Sequence, residues 1–451
     1  MLAKQYPAAP LDKWGGVYPW YVVMILMFAQ TFSFIDRMIM GLLVEPIRAA
    51  FSISDTQFSL LAGFAFAVFY AIMGIPLARI ADSRSRRGLI AFGIALWSIM
   101  TALCGLAKSY WWLFLARVGV GVGEATLSPA AYSLISDYFK KSHLAKALSI
   151  YTVGVTLGSG LAYMIGGQVV AWAKNVGELH VTGLGALQGW QVTFLMVGIP
   201  GLIVAALMFT VIEPPRQGVS ETPGETTGAV AFKHTLTYLK QHRSAYASHM
   251  LGMAIFIMVV YSLNIWGPSY LIRTFAMSPS EAGLKFGVVM MFSGTAGLLV
   301  GGSLADKHFA AGKMDAYSRV ITVSAALAMP CIIGLAFANN QWWGMAALAI
   351  ALFFTSFQGG IAGGVVALMT PNAMRSQLVA VHFLTSNLIG LGFGPTVVAA
   401  TTDYIFKNDA ALGQSLALSA AVLCPIAILM MRMGMPSVRA VIQQQMNASA
   451  M

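Results

Sequence analysis

Residues 115–131 read LARVGVGVGEATLSPAA, an apolar run that carries two charged residues, Arg117 and Glu124. Seven positions separate the charges, which is nearly two helical turns or about 10 Å of rise, so both side chains lie on one face of a helix. The alternating glycines of 119–123 leave room for a neighbouring helix to approach closely. A charge at bilayer depth costs roughly 2.5–3.5 kcal/mol, so such a residue usually faces a partner or a water-filled cavity. The run therefore predicts a membrane-spanning helix with a charged face.

A second apolar run, FSFIDRMIMGLL at 32–43, carries Asp36 and Arg37. The two acids and two arginines are formally neutral together. A carboxyl group can bind and release a proton as its cavity closes and opens, whereas arginine stays charged. We therefore predict that Asp36 and Glu124 carry protons and that Arg37 and Arg117 bind an anionic part of a substrate. A fixed ion-pair network that holds the two helices together is the alternative.

The composition excludes a soluble globular protein, because 58% of the 451 residues are hydrophobic and only 10% are charged. Apolar runs of about 20 residues recur along the chain, and each can cross a hydrocarbon core of about 30 Å. Twelve such spans, numbered 1 to 12 in chain order, are predicted at 20–43, 57–79, 88–107, 111–137, 146–172, 191–212, 246–272, 281–304, 317–338, 342–369, 376–402 and 411–433.

The basic residues predict the orientation of the chain. With both termini in the cytoplasm and the two buried arginines set aside, 19 of the 27 Lys and Arg residues lie on the cytoplasmic side and 6 on the other. This bias is the positive-inside pattern, so we predict a multi-pass protein of the inner (plasma) membrane. The net charge of +11 is spread over loops and forms no patch, so nucleic acid is not predicted as a partner.

The sequence contains none of the motifs that would indicate an enzyme. It has no metal-ligand cluster, no phosphate-cradling loop and no nucleotide-binding domain, and its three cysteines lie far apart inside apolar runs. We therefore predict no enzyme activity, no metal and no cofactor. Transport driven by an ion gradient is the remaining expectation, with protons, a small molecule and the lipid bilayer as partners.

An internal repeat predicts two halves. The loop after span 2 reads ARIADSRSRR and contains Asp82, Arg86 and Arg87, and the loop after span 8 reads GSLADKHFAAGK and contains Asp306. A polar segment rich in proline and glycine follows span 6. We therefore predict an N-terminal six-helix half, a cytoplasmic linker and a C-terminal six-helix half, with bounds at 1–212, 213–245 and 246–451.

Both loops resemble the signature G-x-L-A-D-R-x-G-R-R of the major facilitator superfamily. The first copy keeps Asp82, Arg86 and Arg87, and the second keeps Asp306 but lacks the arginine pair. The resemblance implies an all-α fold of twelve transmembrane helices in two pseudo-symmetric halves. It also implies that these four residues act in gating, and that the transporter works by alternating access.

Longer blocks resemble the Spinster family within that superfamily. They are FIDRMIMGLLVEPI at 34–47, ISDTQFSLLAGFAFAVFY at 53–70, LARVGVGVGEATLSP at 115–129, ISDYF at 135–139, LGSGLAY at 157–163 and NLIGLGFGP at 387–395. This resemblance implies a monomeric, proton-coupled exporter of a lysolipid-like or other amphipathic anion. Proton symporters for sugar acids carry the same four charges, so they remain an alternative, as does a membrane receptor that does not transport.

The second half offers no matching buried charges, and its spans 7, 10 and 11 carry polar and aromatic residues instead. A cavity with one charged wall and one apolar wall would suit an amphipathic substrate. Beside Arg37 and Arg117, the predicted substrate-binding residues are Tyr132, Asn264, Phe353, Phe357, Gln358 and Asn387. His249 in span 7 and His382 in span 11 are interpreted as hydrogen-bonded or interfacial structural residues.

Overall fold

The structure is a computed structural model, and the residues it describes are helical except for short connections and one hairpin. The described residues are 16–139, 141–176, 179–181, 185–214, 228–371 and 374–450. The hairpin pairs Leu179–Val181 with Gly185–Leu187 in antiparallel register and lies between spans 5 and 6. The predicted all-α membrane fold is confirmed, and the hairpin is an addition that the apolar pattern did not indicate.

The α-helices follow the predicted spans closely. They are Tyr18–Ile39, Val44–Phe51, Asp55–Ser59, Ala65–Ser83, Arg86–Cys104, Tyr110–Glu124, Leu127–Tyr138, Lys141–Val176, Gly189–Leu207, Gly228–Gln241, Arg243–Phe275, Pro279–Ala310, Ala316–Gly334, Gln341–Thr355, Gln358–Met369, Arg375–Ser386, Gly392–Ala400 and Leu412–Ala450. Turns of 3-10 helix are Met40–Leu42, Met208–Thr210, Leu335–Phe337 and Asp409–Ala411, and π-helical turns are Leu60–Phe64, Asn387–Leu391 and Thr401–Phe406. Among the described residues, 11 helical segments are long and apolar enough to cross a membrane.

Predicted span 4 forms two helices and not one. The first, Tyr110–Glu124, ends at Glu124, and Leu127–Tyr138 begins after a two-residue turn. Pro129 lacks an amide hydrogen and its ring would clash with the carbonyl four positions earlier, so it is tolerated in the first turn of a helix and not in the interior. The break places Glu124 at the last position of a helix.

The same break recurs in span 10, where one helix ends at Thr355 and the next begins at Gln358. Adding 231 to a residue number of span 4 gives its counterpart in span 10, so that Glu124 corresponds to Thr355 and Ser109 to Asn340. The side chains of Ser109 and Asn340 both cap the start of their helices. The internal repeat therefore extends from the loops to the shape of individual spans.

Residue contacts divide the chain into two compact units: unit 1 comprises Met1–Met40 and Val68–Thr222, and unit 2 comprises Gly41–Ala67 and Pro223–Met451. The predicted bounds of 1–212, 213–245 and 246–451 stay a prediction. Within the predicted linker, Gly228–Gln241 is helical, and residues 215–227 lie outside the described part of the chain. The Tyr238 hydroxyl of this helix donates to the Met369 carbonyl at 2.8 Å, which attaches the helix to unit 2.

Close contact between helices in unit 1 depends on glycine. A Cβ atom at Gly158 of span 5 would lie 2.8 Å from the Cβ of Phe34 in span 1. A Cβ atom at Gly154 would lie 2.6 Å from the carbonyl oxygen of Met27. Real Cβ atoms essentially never approach this closely, so both positions require glycine. The tight packing holds in place the helix that carries the charged residues of span 1.

Ion pairs hold the segment 41–67 within unit 2. Arg273 donates to Asp55 Oδ2 at 2.6 Å and to Glu45 Oε1 at 2.6 Å. Arg48 Nε lies 3.1 Å from Asp55 Oδ1, so two arginines neutralise a carboxylate that is fully buried. The sequence placed these charges in loops, and its pattern did not predict their pairing.

Candidate functional site

The four charged residues singled out in the sequence lie together in unit 1. Asp36 and Arg37 belong to the last turn of Tyr18–Ile39, and Arg117 and Glu124 belong to Tyr110–Glu124. Their exposed fractions are 2% for Asp36, 6% for Arg37, 0% for Arg117 and 2% for Glu124. All four are therefore buried among other side chains, and none is a surface charge.

Each arginine pairs with the acid of the other helix. Arg37 Nη2 donates to Glu124 Oε2 at 2.6 Å, and Arg117 Nη1 donates to Asp36 Oδ1 at 3.3 Å. The charges that are neighbours in sequence are thus not partners in space. The two crossed ion pairs join span 1 to span 4 and share no atom.

Two hydroxyl groups that the sequence analysis missed give the two acids different hydrogen-bond partners. Thr101 donates to Asp36 Oδ2, so both oxygens of Asp36 accept a hydrogen bond. Ser33 donates to Glu124 at 2.6 Å, but to the same Oε2 atom that Arg37 already occupies. Among the described residues, the buried Oε1 of Glu124 has no hydrogen-bond partner. In the described part of the chain, Glu124 therefore has one carboxylate oxygen without a hydrogen bond, whereas each oxygen of Asp36 accepts one.

Two aromatic rings lie close to the guanidinium group of Arg37. The group lies 4.7 Å from the ring centre of Phe34 and 5.4 Å from that of Tyr70, distances at which cation–π attraction acts. The predicted Tyr132 is 46% exposed, and its ring lies 5.4 Å from that of Tyr151. The sequence gave no signal for Tyr70 or Tyr151, since an aromatic residue on a membrane helix is most often a packing residue.

The predicted substrate residues of the second half lie in unit 2. Phe353 and Phe357 contact each other at 5.1 Å between ring centres and line a cavity of about 510 Å³. Asn387 accepts a hydrogen bond from the Tyr261 hydroxyl at 3.3 Å, and Asn264 is buried. Gln358 begins the second helix of span 10 and is partly buried.

The two histidines of unit 2 are buried and stacked. The ring centres of His249 and His382 lie 5.4 Å apart, and Nε2 of His249 lies 3.0 Å from the Ala362 carbonyl oxygen. The interpretation of His249 as a hydrogen-bonded residue agrees with this contact. Among the described residues, neither ring nitrogen of His382 has a partner, so stacking and not hydrogen bonding holds its ring.

The predicted gating residues of the first loop are joined to acids that the sequence analysis did not assign. Arg86 forms ion pairs with Asp137 and, at 2.8 Å, with Glu213. The backbone N–H of Arg87 donates to Glu213 Oε2 at 2.9 Å. Burial opposes the charge of Glu213, but these hydrogen bonds outweigh it and lower the pKa of this carboxyl below its ordinary value.

The other two gating candidates are the aspartates of the two repeated loops. The side chain of Asp82 lies outside the described residues. Asp306, its counterpart in the second loop, accepts a hydrogen bond from the Tyr317 hydroxyl at 2.5 Å. The gating role of Asp82, Arg86, Arg87 and Asp306 stays a prediction.

One group of acids in unit 2 has oxygen atoms close enough to surround a metal ion. These atoms of Asp55, Asp403 and Asp409 lie within 4.8 Å of one another. Each acid, however, already accepts a hydrogen bond inside the protein: Asp55 from Arg273, Asp403 from a backbone N–H, and Asp409 from Arg48. The group is therefore accounted for by internal pairing, and we assign it no ligand.

Known proteins resemble this chain along most of its length. A model of the Major Facilitator Superfamily matches residues 26–395. An MFS-type efflux pump of Mycolicibacterium smegmatis is 27% identical over 91% of this chain and 91% of the pump. Protein spinster of Drosophila melanogaster is 25% identical over 87% of this chain and 63% of that protein. The sphingosine-1-phosphate transporter SPNS2 of Danio rerio is 23% identical over 90% of this chain and 81% of that protein.

A solved structure supports the same assignment. The crystal structure of a bacterial homologue of the human lysosomal transporter Spinster, in an inward-facing and unoccupied conformation, matches with a TM-score of 0.74 and 27% identity. The match covers 95% of this chain and 98% of that one. Proteins of this fold move solutes and are not enzymes. The chain therefore belongs to the major facilitator superfamily, as a membrane transporter of the Spinster type.

Proposed function

We propose that the protein is a proton-coupled secondary transporter that exports an amphipathic anion of the lysolipid class by alternating access. The observation that carries this proposal is the asymmetry between the two buried acids. Both oxygens of Asp36 accept hydrogen bonds, whereas Oε1 of Glu124 is buried and, among the described residues, accepts none. A buried polar atom without a partner costs about 1–3 kcal/mol, so its retention at a helix break calls for a functional reason.

Glu124 is the proton carrier in this proposal. A proton bound at Oε1 leaves Oε2 in place for Ser33 and Arg37, so protonation needs no rearrangement of existing bonds. The proton removes the negative charge opposite Arg37 and so weakens the ion pair. Arg37 then becomes able to bind the anionic group of a substrate, and release of the substrate restores the pair. Since the pair re-forms only when Glu124 has also lost its proton, competition between Glu124 and the substrate anion for one arginine couples proton movement to substrate movement.

Asp36 has a positioning role. Its two oxygens are held by Thr101 and Arg117, and Arg117 is fully buried. This pair fixes the end of span 1 against spans 3 and 4, and with it the position of Arg37. The alternative of a purely structural network fits this second pair better than the first, because the second pair has no unused carboxylate oxygen.

The substrate class rests on the surroundings of Arg37. A guanidinium group close to two aromatic rings offers a charge next to apolar surface, which suits the phosphate or carboxylate of a molecule with an alkyl chain. A sugar acid, by contrast, needs several hydrogen-bond donors and acceptors around its hydroxyl groups. The relatives described as an efflux pump and as a sphingosine-1-phosphate transporter favour export and a lysolipid. The contribution of Phe353 and Phe357 to an apolar wall stays a prediction.

Proton flux in liposomes tests the proposal. Purified protein is reconstituted with a pH-sensitive dye inside, and single-chain lysophospholipids and hexonates are added in turn. We expect saturable proton movement with at least one lysolipid phosphate, lost in Arg37→Gln and retained in Lys108→Gln, which removes an exposed cation elsewhere in unit 1. Flux with a hexonate and with no lysolipid would assign the protein to the sugar-acid symporters. Saturable binding without any flux would make it a receptor.

A further inference from the structure

A groove in unit 2 lies outside the charged site. It has a volume of about 510 Å³, within the range of about 300–1,000 Å³ that is usual for small-molecule sites. Spans 8, 9 and 10 form its walls, and Phe353, Phe354 and Phe357 of span 10 form its floor. We call it the phenylalanine groove.

The groove is apolar along most of its length and basic at one end. Val323 and Leu327 line it from span 9, and they are 55% and 44% exposed. His308, Lys313 and Arg319 line the end near the loop between spans 8 and 9. Arg319 and Leu327 are eight residues apart on one helix, so the apolar part extends about 12 Å from the basic end.

The basic end carries two exposed cationic side chains, Lys313 and Arg319. Arg319 is paired with Asp315 at 2.9 Å but remains 52% exposed. Lys313 is exposed and has no acidic side chain within ion-pair distance among the described residues. One uncompensated ammonium group and one exposed guanidinium group are suited to a phosphate group, which both side chains bind readily.

The neighbourhood of the groove favours a lipid of the bilayer. Only 22% of the most apolar 18-residue stretch of the helix Pro279–Ala310 is buried. Most of this helix is therefore left for contact with acyl chains. Basic pockets between transmembrane helices are known lipid head-group sites in membrane proteins generally. A soluble ligand would have to cross the lipid to reach exposed apolar residues such as Val323 and Leu327.

We propose that an anionic phospholipid of the bilayer binds in the phenylalanine groove, with one acyl chain along the phenylalanines and its phosphate at Lys313 and Arg319. The lipid fills the space beside the break in span 10, since Phe357 lies at that break. Occupancy therefore stabilises the bent form of span 10. The site is separate in its residues from the proposed proton carrier Glu124, and it replaces the predicted role of Phe353 and Phe357 in a wall of the substrate site.

Native mass spectrometry of the purified full-length chain in detergent tests the proposal. The probes are phosphatidylglycerol and phosphatidylcholine with the same acyl chains. We expect phosphatidylglycerol to be retained preferentially and its dissociation constant to rise at least fivefold in Lys313→Glu, which corresponds to about 1 kcal/mol per basic residue. The matched control is Lys307→Glu, which makes the same change of charge at an exposed residue that does not line the groove.

A second variant tests the apolar part without changing any charge. Val323→Trp fills the groove from an exposed position, and we expect it to lose the lipid while the melting temperature without lipid stays within a few degrees of the wild type. Equal retention of the two lipids, or equal losses in Lys313→Glu and Lys307→Glu, would overturn the proposal. Displacement of phosphatidylglycerol by a transported lysolipid, together with loss of transport in Lys313→Glu, would overturn it as well, because the groove would then belong to the substrate.

Discussion

Replacing Glu124 by glutamine separates proton coupling from substrate movement. Glutamine has the shape of a protonated glutamic acid, and its carbonyl oxygen can keep both hydrogen bonds that Glu124 Oε2 accepts from Ser33 and Arg37. Its NH₂ group occupies the position of Oε1, which has no partner to lose among the described residues. The variant should therefore fold and bind substrate, but it cannot release a proton.

The expected size of the effect follows from the pH gradient. One pH unit is worth about 1.36 kcal/mol per proton, so coupling of one proton to one substrate at zero membrane potential supports a substrate ratio of about ten across the membrane. Without proton release at Glu124, the ratio should fall to about one at any pH gradient. The stability cost should stay below the about 3–5 kcal/mol of a broken buried ion pair, because glutamine keeps the hydrogen bonds from Ser33 and Arg37 and loses only the negative charge.

The assay is accumulation of labelled substrate in liposomes with the membrane potential clamped at zero. Net accumulation is measured at pH differences of zero, one and two units, and exchange at equal pH is measured in the same preparation. Glu124→Gln should keep exchange and lose accumulation. Glu124→Ala should also lose stability, by about 3–5 kcal/mol, since it breaks the buried ion pair with Arg37.

Asp36→Asn is the matched comparison, because it makes the same isosteric change in the second ion pair. It should slow transport by weakening the hold on Arg117 but should keep the tenfold ratio per pH unit. If Glu124→Gln accumulates substrate as the wild type does and Asp36→Asn does not, Asp36 is the proton carrier and the reasoning from the unpartnered oxygen is wrong.

Packing and ionisation elsewhere in unit 1 give two more measurable outcomes. Gly158→Ala should lower the free energy of unfolding by about 1–3 kcal/mol, because the new Cβ atom lies 2.8 Å from the Cβ atom of Phe34. Gly74→Ala is the control, because a Cβ atom there has no neighbour within 4 Å. It should leave the free energy of unfolding unchanged or raise it by up to about 1 kcal/mol. Melting temperatures in detergent would decide, and equal shifts would contradict the packing argument. The pKa of the Glu213 carboxyl is lower in the folded state than its ordinary value of 4.5. The ionised carboxylate therefore stabilises the fold at pH values above 4.5, and this stabilisation is lost as the pH falls through the lowered pKa. Melting between pH 7 and pH 3.5 should show a larger loss for the wild type than for Glu213→Gln, and parallel curves would mean that its pairing with Arg86 adds no stability.

The sequence was sufficient to find the charged residues of the site but not to pair them. Helical spacing placed Arg117 and Glu124 on one face, and charge in an apolar run marked Asp36 and Arg37. Which arginine faces which acid depends on the rotation of one helix against another, and a single sequence carries no signal for that. The hydrogen bond from Thr101 was missed for the same reason, because a threonine in span 3 has no feature that distinguishes it from a packing residue.

Two other features of the structure, the break in span 4 and the position of Glu213, left traces in the sequence that the predictions did not use. Pro129, five positions after Glu124, marks the break in span 4, yet the unbroken hydropathy of 111–137 favoured one helix. Glu213 was assigned to the linker from its position beside a proline-rich segment, although it is the acid that meets Arg86. Local composition describes a loop well, but it does not show which loop residue folds back onto a helix end.

The matching breaks of spans 4 and 10 have an evolutionary consequence. At the position of Glu124, the second copy carries Thr355, whose hydroxyl donates to the Leu352 carbonyl of its own helix at 3.3 Å. The bend therefore exists in one copy without an acid, so the acid cannot be what creates it. If both copies descend from one duplicated ancestor, the bend was inherited as a neutral scaffold, and ionisable chemistry was gained or kept in one copy alone. If Glu124 carries the proton as proposed, a chain of this kind can change its coupling ion, or lose coupling, by one substitution at a position that the backbone does not need.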